Sequence, residues 1–150
     1  MEDYNQPIIR LAQVSDAKKL KDINDLFNGE DETTFNEVET SLRENKDEII
    51  VCADIGTSFV GVCYISIIKT VGFNWQYCFI TEIFVQKEHR NRGIGTLLME
   101  FVQKELAKRS IRKAFLWTGV SHTTAQKLCM SFGYDEMIET KMFDWETKEN

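Results

Sequence analysis

Two arginines and two glycines stand close together near the middle of the chain. Arg90, Arg92, Gly93 and Gly95 follow a strand-like apolar run and precede an amphipathic helix expected over Ile94–Lys108. The first backbone N–H groups of a helix have no internal acceptors, and the aligned peptide dipoles leave positive potential there. The glycines remove side chains that would keep an anion away and permit positive φ, and the arginines add permanent charge. The sequence therefore predicts a site that holds a pyrophosphate.

The residues around these glycines narrow the kind of ligand. A Walker-type phosphate loop needs Gly-Lys-Ser/Thr, but Gly95 is followed directly by Thr96. A dinucleotide-binding loop needs a third glycine, and Leu98 occupies that position. The remaining pattern, Arg90-x-x-Gly93-x-Gly95, resembles the R/Q-x-x-G-x-G/A signature of the GNAT acyltransferase superfamily, which binds the pyrophosphate of acetyl-CoA. The alternative is a glycine-marked helix start that binds no ligand.

The order of the expected elements extends this resemblance over nearly the whole chain. The resemblance implies an α+β (mixed α/β) fold with a mostly antiparallel, mixed sheet of six or seven strands, splayed at the cofactor site and flanked by about four helices. The expected elements are a strand at Ile8–Gln13, a helix capped by Ser15 and running to Phe27, a helix opened by the capping box Thr34–Glu37, a hairpin of Ile49–Asp54 and Phe59–Lys69, a strand at Phe79–Val85, the helix Ile94–Lys108, a strand at Lys113–Thr118, a helix at His122–Phe132 and one or two closing strands within Tyr134–Trp145.

Length and composition bound the class of protein. The chain has 150 residues, of which 43% are hydrophobic, so we assign residues 1–150 to one domain with its own core. No apolar run is long enough to predict a membrane span, and the amino terminus does not resemble a signal peptide. We expect a cytoplasmic protein without a metal site. The four cysteines show no C-x-x-C spacing and are interpreted as small buried apolar residues: Cys52, Cys63, Cys78 and Cys129.

The net charge of −6 is unevenly distributed along the chain. Residues 15–48 contain eleven acidic and five basic residues, and residues 135–150 contain six acidic and two basic residues. Residues 86–113 contain eight basic and three acidic residues. Acidic segments on either side of a basic phosphate site favour a cationic amine as the second substrate and disfavour nucleic acid. The alternative is that most of these acids only solvate helices.

The resemblance also implies which residues hold the cofactor. The backbone of Ile83, Phe84 and Val85 would hydrogen-bond the pantetheine arm where the central strands separate. The Val85 N–H would donate to the thioester oxygen as negative charge develops on it. The pyrophosphate would lie against the loop and helix start formed by Arg90, Asn91, Arg92, Gly93, Ile94, Gly95 and Thr96.

The helix expected at His122–Phe132 departs from the family's common pattern, Asn-x-x-Ala-x-x-Phe-Tyr-x-x-x-Gly-Phe, whose tyrosine faces the CoA sulfur as general acid. Ala125 and Gly133 match, but His122 replaces the asparagine and Cys129 the tyrosine. A thiol with an ordinary pKa near about 8.5 can donate a proton. Cys129 is thus a candidate acid and His122 a candidate cofactor contact. The alternatives are that Cys129 only packs, that His122 caps the helix or faces solvent, and that CoA leaves as thiolate or takes a proton from water.

Glu82 is the leading candidate for the general base. It is the one acid within residues 77–85 and stands three residues before Val85, among apolar neighbours where a lone carboxylate is costly to bury. Strand alternation puts Glu82 and Phe84 on one face, and that face could turn away from the substrate unless a bulge changes the parity. Weaker candidates for binding a cationic group are Asp31, Glu32, Asp144 and Trp145.

The resemblance to the GNAT superfamily implies an acetyl-CoA-dependent N-acetyltransferase. Acetyl-CoA would be the co-substrate, and the primary amine of a small cationic molecule would attack it directly in a ternary complex, with no membrane or nucleic-acid partner. The segment Phe79–Gly95 resembles aminoglycoside 6′-N-acetyltransferases and polyamine acetyltransferases. The alternatives are a protein or peptide N-acetyltransferase and a non-catalytic acyl-CoA sensor. Pairing of Glu136–Trp145 between two copies would form a homodimer. Several aromatic residues would suit a polycationic or sugar-like ligand, or else belong to the core: Phe73, Trp75, Tyr77, Trp117 and Trp145.

Overall fold

Helices and strands follow the predicted order along the described part of the chain. This computed structural model describes residues 6–136 and residues 141, 143, 145 and 146. Short 3₁₀ turns at Val14–Asp16 and Lys87–His89 precede the first helix and follow the fourth strand. The elements are β1 (Ile8–Leu11), α1 (Ala17–Asn28), α2 (Phe35–Glu44), β2 (Glu48–Ile55), β3 (Ser58–Ile68), β4 (Tyr77–Val85), α3 (Ile94–Lys108), β5 (Lys113–Leu116) and α4 (Thr123–Ser131).

The five described strands form one sheet in the order β1-β2-β3-β4-β5. Strands β1 to β4 pair antiparallel, and β5 runs parallel to β4. This α+β arrangement, with a mostly antiparallel mixed sheet and four helices among the described residues, confirms the predicted fold class. The predicted six or seven strands exceed the five described. The additional strands are predicted within Tyr134–Trp145, and residues 137–140, 142 and 144 of that segment lie outside the described residues.

Helices cover both faces of the sheet. Helix α3 packs on one face, and apolar residues of α4 join the core there. Helices α1 and α2 pack on the other face. All four cysteines are buried free thiols, as small apolar residues would be. The α3 core includes Val51, Val60, Cys63, Ile65, Cys78, Ile80, Ile94, Leu98, Met99 and Val102. The core under α1 and α2 is formed by Ala17, Leu20, Ile23, Val38, Cys52, Phe59 and Val62.

The two helices of the second face begin in different ways. The predicted capping box of α2 is present, since Thr34 Oγ1 accepts from the Glu37 N–H at 3.2 Å and Glu37 Oε2 accepts from the Thr34 N–H at 2.7 Å. The prediction that Ser15 caps α1 is wrong. Asp16 stands at the N-cap of α1, and its side chain makes no capping bond to that helix. Its carboxylate instead accepts from the Gln13 N–H at 2.8 Å, at the start of the 3₁₀ turn, and from the Arg10 guanidinium at 2.6 Å. The ion pair with Arg10 and the hydrogen bond from Gln13 thus hold Asp16 in place at the start of α1.

Within the described residues, no helix is long and apolar enough to cross a membrane. The same residues contain no group of three or more His, Cys, Asp or Glu side chains placed to hold a metal ion.

Candidate active site

Strands β4 and β5 separate part-way along their length. Their pairing begins at Tyr77↔Lys113 and ends at Ile80↔Leu116, whereas β4 continues to Val85. The last five residues of β4 therefore run beside a gap in the sheet. This gap explains why β5 is two residues shorter than the predicted strand, which extended to Thr118: beyond Leu116 the chain no longer follows the edge of β4.

A β-bulge in β4 decides which side chains face each side of this gap. Tyr64 pairs with Glu82, but the next residue of β3 pairs with Ile80, so Thr81 is an extra residue in β4. Before the bulge, Ile80 lies in the α3 core; after it, Ile83 packs against that core. Glu82 and Phe84 do share a face, as alternation predicts. The bulge turns that face toward the side of the sheet that carries α1 and α2.

The Glu82 carboxyl lies half-buried on this side of β4. Burial raises the pKa of Glu82 above its ordinary value, and a hydrogen bond from the Ile83 N–H offsets part of that rise. A carboxyl with a raised pKa in a partly dry environment is suited to take a proton from an amine. Its position on the strand thus agrees with the role of general base that the sequence assigns to it.

Tyr64 of β3 lies directly across from Glu82, and sequence reasoning missed it. Its hydroxyl donates to Asn24 Oδ1 of α1, so a half-buried phenol satisfies a buried amide inside an apolar layer. The Phe27 ring lies 6.1 Å from the Tyr64 ring and 4.9 Å from the Phe84 ring, measured between centroids. The carboxyl end of α1 therefore forms a wall beside Glu82.

The backbone of β4 presents its polar groups to the gap at alternate residues. The Gln86 N–H donates to the Val60 carbonyl at 2.9 Å, which marks that pair as hydrogen-bonded. By the antiparallel alternation, Phe84 pairs with Val62, and the N–H and C=O groups of Ile83 and Val85 point away from β3 into the gap. The Val85 carbonyl accepts from Arg90 Nε at 2.8 Å. The Val85 N–H thus points into the space where a thioester oxygen could accept from it.

The loop at the end of this gap has the backbone of an anion site. Asn91 and Gly93 adopt left-handed conformations, with φ of 60° and 78°. The first hydrogen bond of α3 runs from the Leu97 N–H to the Gly93 carbonyl at 3.0 Å, so the N–H groups of Ile94, Gly95 and Thr96 lie ahead of it. Such a turn followed by a helix start groups several N–H donors around one point. The loop therefore fits a pyrophosphate.

The side chains of this loop contribute unequally. Arg90 lies at the surface, and its guanidinium carbon is 5.8 Å from the centre of the Phe84 ring. Asn91, Arg92 and Thr96 are also exposed, whereas Ile94 is only 3% exposed and packs in the core. Ile94 can therefore meet an anion only through its backbone.

Two glycines bring α3 close to its neighbours. Both loop glycines permit positive φ, but only Gly93 adopts it, because Gly95 lies within α3 and its backbone is helical. A Cβ at Gly95 would lie 3.2 Å from Leu128 Cδ2, so the missing side chain lets α4 approach. At Gly61, which sequence reasoning missed, a Cβ would lie 3.2 Å from both Leu98 Cδ1 and the Phe84 carbonyl oxygen. Gly61 thereby lets α3 settle against β3 and β4.

Three features of the structure agree with the resemblance to the GNAT superfamily: the bulge in β4, the gap in the sheet and the anion-binding start of α3. Comparison with known protein families decides whether the chain is a member. The model of the acetyltransferase (GNAT) family matches residues 18–134. The chain belongs to the GNAT family.

Known acetyltransferases resemble this chain in sequence and in fold. An uncharacterized N-acetyltransferase of Chlorobaculum tepidum is 26% identical over 110 residues, which are 73% of this chain. The chain spans 66% of the length of that relative. An aminoglycoside acetyltransferase from an uncultured soil metagenomic sample, in complex with sisomicin, is similar with a TM-score of 0.81 at 13% identity, over 96% of this chain and 98% of that one. A ribosomal-protein-alanine N-acetyltransferase from Brucella melitensis biovar Abortus 2308 is similar with a TM-score of 0.73 at 16% identity, over 93% and 99% of the two chains.

The fourth helix of this GNAT domain carries the two residues that depart from the family pattern. His122 is exposed at the start of α4, and its ring lies where a side chain on Gly119 would touch it. Cys129 is 7% exposed, and burial raises the pKa of its thiol. Tyr134 donates its N–H to the Cys129 carbonyl at 3.2 Å, and burial raises the pKa of its phenol to about 12. Cys129 is thus held protonated in an apolar setting, where it is a weak acid.

Proposed function

We propose that this GNAT protein transfers the acetyl group of acetyl-CoA to a primary amine of a small cationic molecule, by direct attack in a ternary complex. The observation that carries the proposal is the bulge at Thr81. It places the Glu82 carboxyl on the side of the sheet lined by Tyr64 and the end of α1, next to backbone N–H groups that point into the gap.

Acetyl-CoA, the co-substrate, would lie along the gap with its pyrophosphate at the start of α3. The N–H groups of Ile94, Gly95 and Thr96 would bind the phosphates, with the Arg92 side chain adding charge. The Ile83 carbonyl and the Val85 N–H would bind the end of the cofactor along the open edge of β4, since the Ile83 N–H donates to Glu82 and the Val85 carbonyl accepts from Arg90. The Phe84 backbone pairs with Val62, so it does not take the pantetheine role that the resemblance implied. Such an arrangement fixes the thioester near Glu82 before the amine arrives.

The acceptor enters as an ammonium and must lose a proton before it attacks. Glu82 would accept that proton, directly or through one water. The amine nitrogen then bonds to the thioester carbon, and the Val85 N–H donates to the oxygen that becomes negative. The carbon–sulfur bond breaks, the CoA thiolate leaves, and the nitrogen of the new amide releases its second proton to water. Because burial raises the pKa of Cys129, we assign the final protonation of the thiolate to water and keep Cys129 as the alternative donor.

A cationic acceptor is supported by the charge of the segment that follows α1. The segment 28–33 comes directly after Phe27, whose ring contacts the rings of Tyr64 and Phe84, and it contains Glu30, Asp31 and Glu32. Three carboxylates in a segment that begins beside these rings would raise the local concentration of a polycation. The structural similarity to an aminoglycoside acetyltransferase agrees with this class of acceptor.

Location and assembly also belong to the proposal. Four buried free thiols suit the reducing cytoplasm. We expect neither nucleic acid nor membrane as a partner. A homodimer formed through Glu136–Trp145 stays a prediction, because most of that segment lies outside the described residues.

The first test is release of free thiol from acetyl-CoA in the presence of aminoglycosides, spermidine, single amino acids or short peptides. We expect release with the polycationic amines, and loss of release in Glu82→Gln. Release only with peptides would replace the small-molecule acceptor by a peptide, as in the ribosomal-protein-alanine N-acetyltransferase of similar fold. Silence across the panel, with CoA binding detected by calorimetry, would favour a non-catalytic acyl-CoA sensor.

A further inference from the structure

Trp117 lies where β5 leaves the edge of β4. Its neighbour Leu116 pairs with Ile80, so Trp117 is the first residue beyond the pairing and stands where the gap between β4 and β5 begins. The side chain is 61% exposed. A large aromatic side chain left in solvent at the mouth of a site requires a reason, because burying such a ring is strongly favourable.

Trp117 shares the face of the sheet that the bulge gives to Glu82. Ala114 and Leu116 of β5 pack against the α3 core, so the alternate residues Phe115 and Trp117 point to the opposite face. The Trp117 ring is stacked on the Phe79 ring, with centroids 4.6 Å apart and planes inclined by 15°. Phe79 is in turn stacked on Phe115 at 5.3 Å. One side of the indole is therefore held in place.

Ring contacts continue from Trp117 along β4 and form an aromatic row of Phe73, Trp75, Tyr77, Phe79, Phe115 and Trp117. Two rings of this row already bind cationic side chains of the protein. The Arg112 guanidinium carbon lies 5.3 Å from the centre of the Trp75 ring, and Lys113 Nζ lies 5.0 Å from the centre of the Phe115 ring. Aromatic faces attract ammonium and guanidinium groups, and tryptophan does so most strongly. The exposed face of the Trp117 indole can therefore attract a cationic group of a ligand.

We propose that Trp117 is a specificity-determining residue for acceptors that carry two ammonium groups. The reacting nitrogen must give its proton to Glu82, so it attacks as a neutral amine. The cation over Trp117 is consequently a second, non-reacting ammonium of the same molecule. This inference rests on the proposed function and narrows its substrate class from cationic amines to diamines and polyamines.

A matched pair of acceptors tests the inference. Butylamine and 1,4-diaminobutane have the same carbon chain and differ in the second amine. With the wild-type protein we expect kcat/KM for the diamine to exceed that for the monoamine by about tenfold or more. Trp117→Ala should remove most of this preference by raising KM for the diamine, while KM for acetyl-CoA stays within about twofold. Trp117→Phe should keep part of the preference, because it keeps an aromatic face.

The control variant is Phe73→Ala at the other end of the aromatic row, where a ring of similar exposure makes a tilted contact with Trp75 away from the gap. It should leave the preference unchanged. The inference would be overturned if the ratio of kcat/KM for the diamine to kcat/KM for the monoamine were the same in the wild type and in Trp117→Ala. With turnover intact in both proteins, the proposed function would still stand.

If the wild-type protein binds acetyl-CoA but turns over no amine, the proposed function fails. Calorimetric titration of 1,4-diaminobutane into the CoA complex then decides the inference separately. Binding by the wild type that is lost in Trp117→Ala supports a diamine site, and no binding by the wild type overturns it.

Discussion

The candidate site has a phosphate side formed mainly by backbone groups and an acceptor side formed by side chains. On the phosphate side, the loop from Arg90 to Gly93 and the start of α3 offer mainly backbone N–H groups within one short segment. On the acceptor side, Asn24, Tyr64, Glu82 and Trp117 come from a helix, two strands and the segment that follows β5, and they come together only in the fold. A site made of backbone groups within one short segment can be recognised from a local sequence pattern. A site made of side chains that strand pairing brings together from distant segments leaves almost no such pattern.

The largest effect should come from breaking the phosphate side at Gly93. Gly93→Asp places a branched residue at φ 78° and a negative charge among the N–H donors. No protein atom lies within 4 Å of a Cβ at this position, so a clash with the protein is not the cause. We expect acetyl-CoA affinity, measured by calorimetry, to fall by more than about a hundredfold, equivalent to about 2.7 kcal/mol.

Gly72→Asp is the matched control for that experiment, because Gly72 lies in an exposed loop without positive φ. It adds the same charge and should leave acetyl-CoA affinity unchanged. If Gly93→Asp also binds acetyl-CoA normally, the pyrophosphate does not lie at this loop.

The next effect should come from the acceptor side at Glu82. Glu82→Gln should lower kcat by about a hundredfold or more and leave acetyl-CoA affinity unchanged, since it removes the base and not the phosphate site. Burial raises the pKa of Glu82, so the wild-type rate should fall as pH decreases through that raised value, when the carboxyl becomes protonated. A rate–pH profile measured for both proteins should show this acidic limb only in the wild type. Glu100→Gln, an exposed position on α3, is the control.

A smaller effect should come from loosening α1, which forms the wall beside Glu82. Asp16→Asn weakens the bond to Arg10, and we expect the free energy of unfolding to fall by about 2 kcal/mol at neutral pH. The Arg10 hydrogen bond lowers the pKa of Asp16 in the folded state. The contribution is therefore full above the unfolded pKa of about 4 and disappears as pH falls through the folded value.

Urea unfolding at neutral and acidic pH measures this difference. Asp22→Asn, which removes an exposed pair with Lys18, is the control and should cost less than about 0.5 kcal/mol. Equal stability of Asp16→Asn and wild type at neutral pH would contradict the role given to this pair.

The smallest effect should come from Cys129→Ala. If the thiol only packs, kcat should change by less than about threefold, and the free energy of unfolding should fall by about 1 kcal/mol, as for other small deletions in a core. A loss of kcat by about a hundredfold would instead assign general acid catalysis to Cys129. Steady-state kinetics and urea unfolding on the same sample separate the two outcomes.

Much of the fold could be predicted because it follows from local patterns. The capping box at Thr34, the bounds of α3 and the place of Gly93 all depend on residues within one turn of each other. The bulge at Thr81 could not be predicted, because threonine is an ordinary strand residue and its extra place in β4 is set by pairing with β3. The Tyr64–Asn24 hydrogen bond joins residues 40 positions apart, and either residue alone is unremarkable. The error at Ser15 has a similar origin, since Arg10 on another element selects Asp16.

Gly61 gives the fold a property that belongs to neither side of the site alone. Gly61 pairs with Val85 of β4, and a side chain at Gly61 would meet Ile94 and Leu98 of α3. Because that side chain is missing, the start of α3 packs directly against β3 and β4. A ligand with a phosphate at one end, a reactive group at the other and a flexible arm between them loses less freedom when the protein already holds both ends at a set spacing. The missing side chain at Gly61 thus sets the distance between the start of α3 and Val85, and with it the length of the arm that would fit between them.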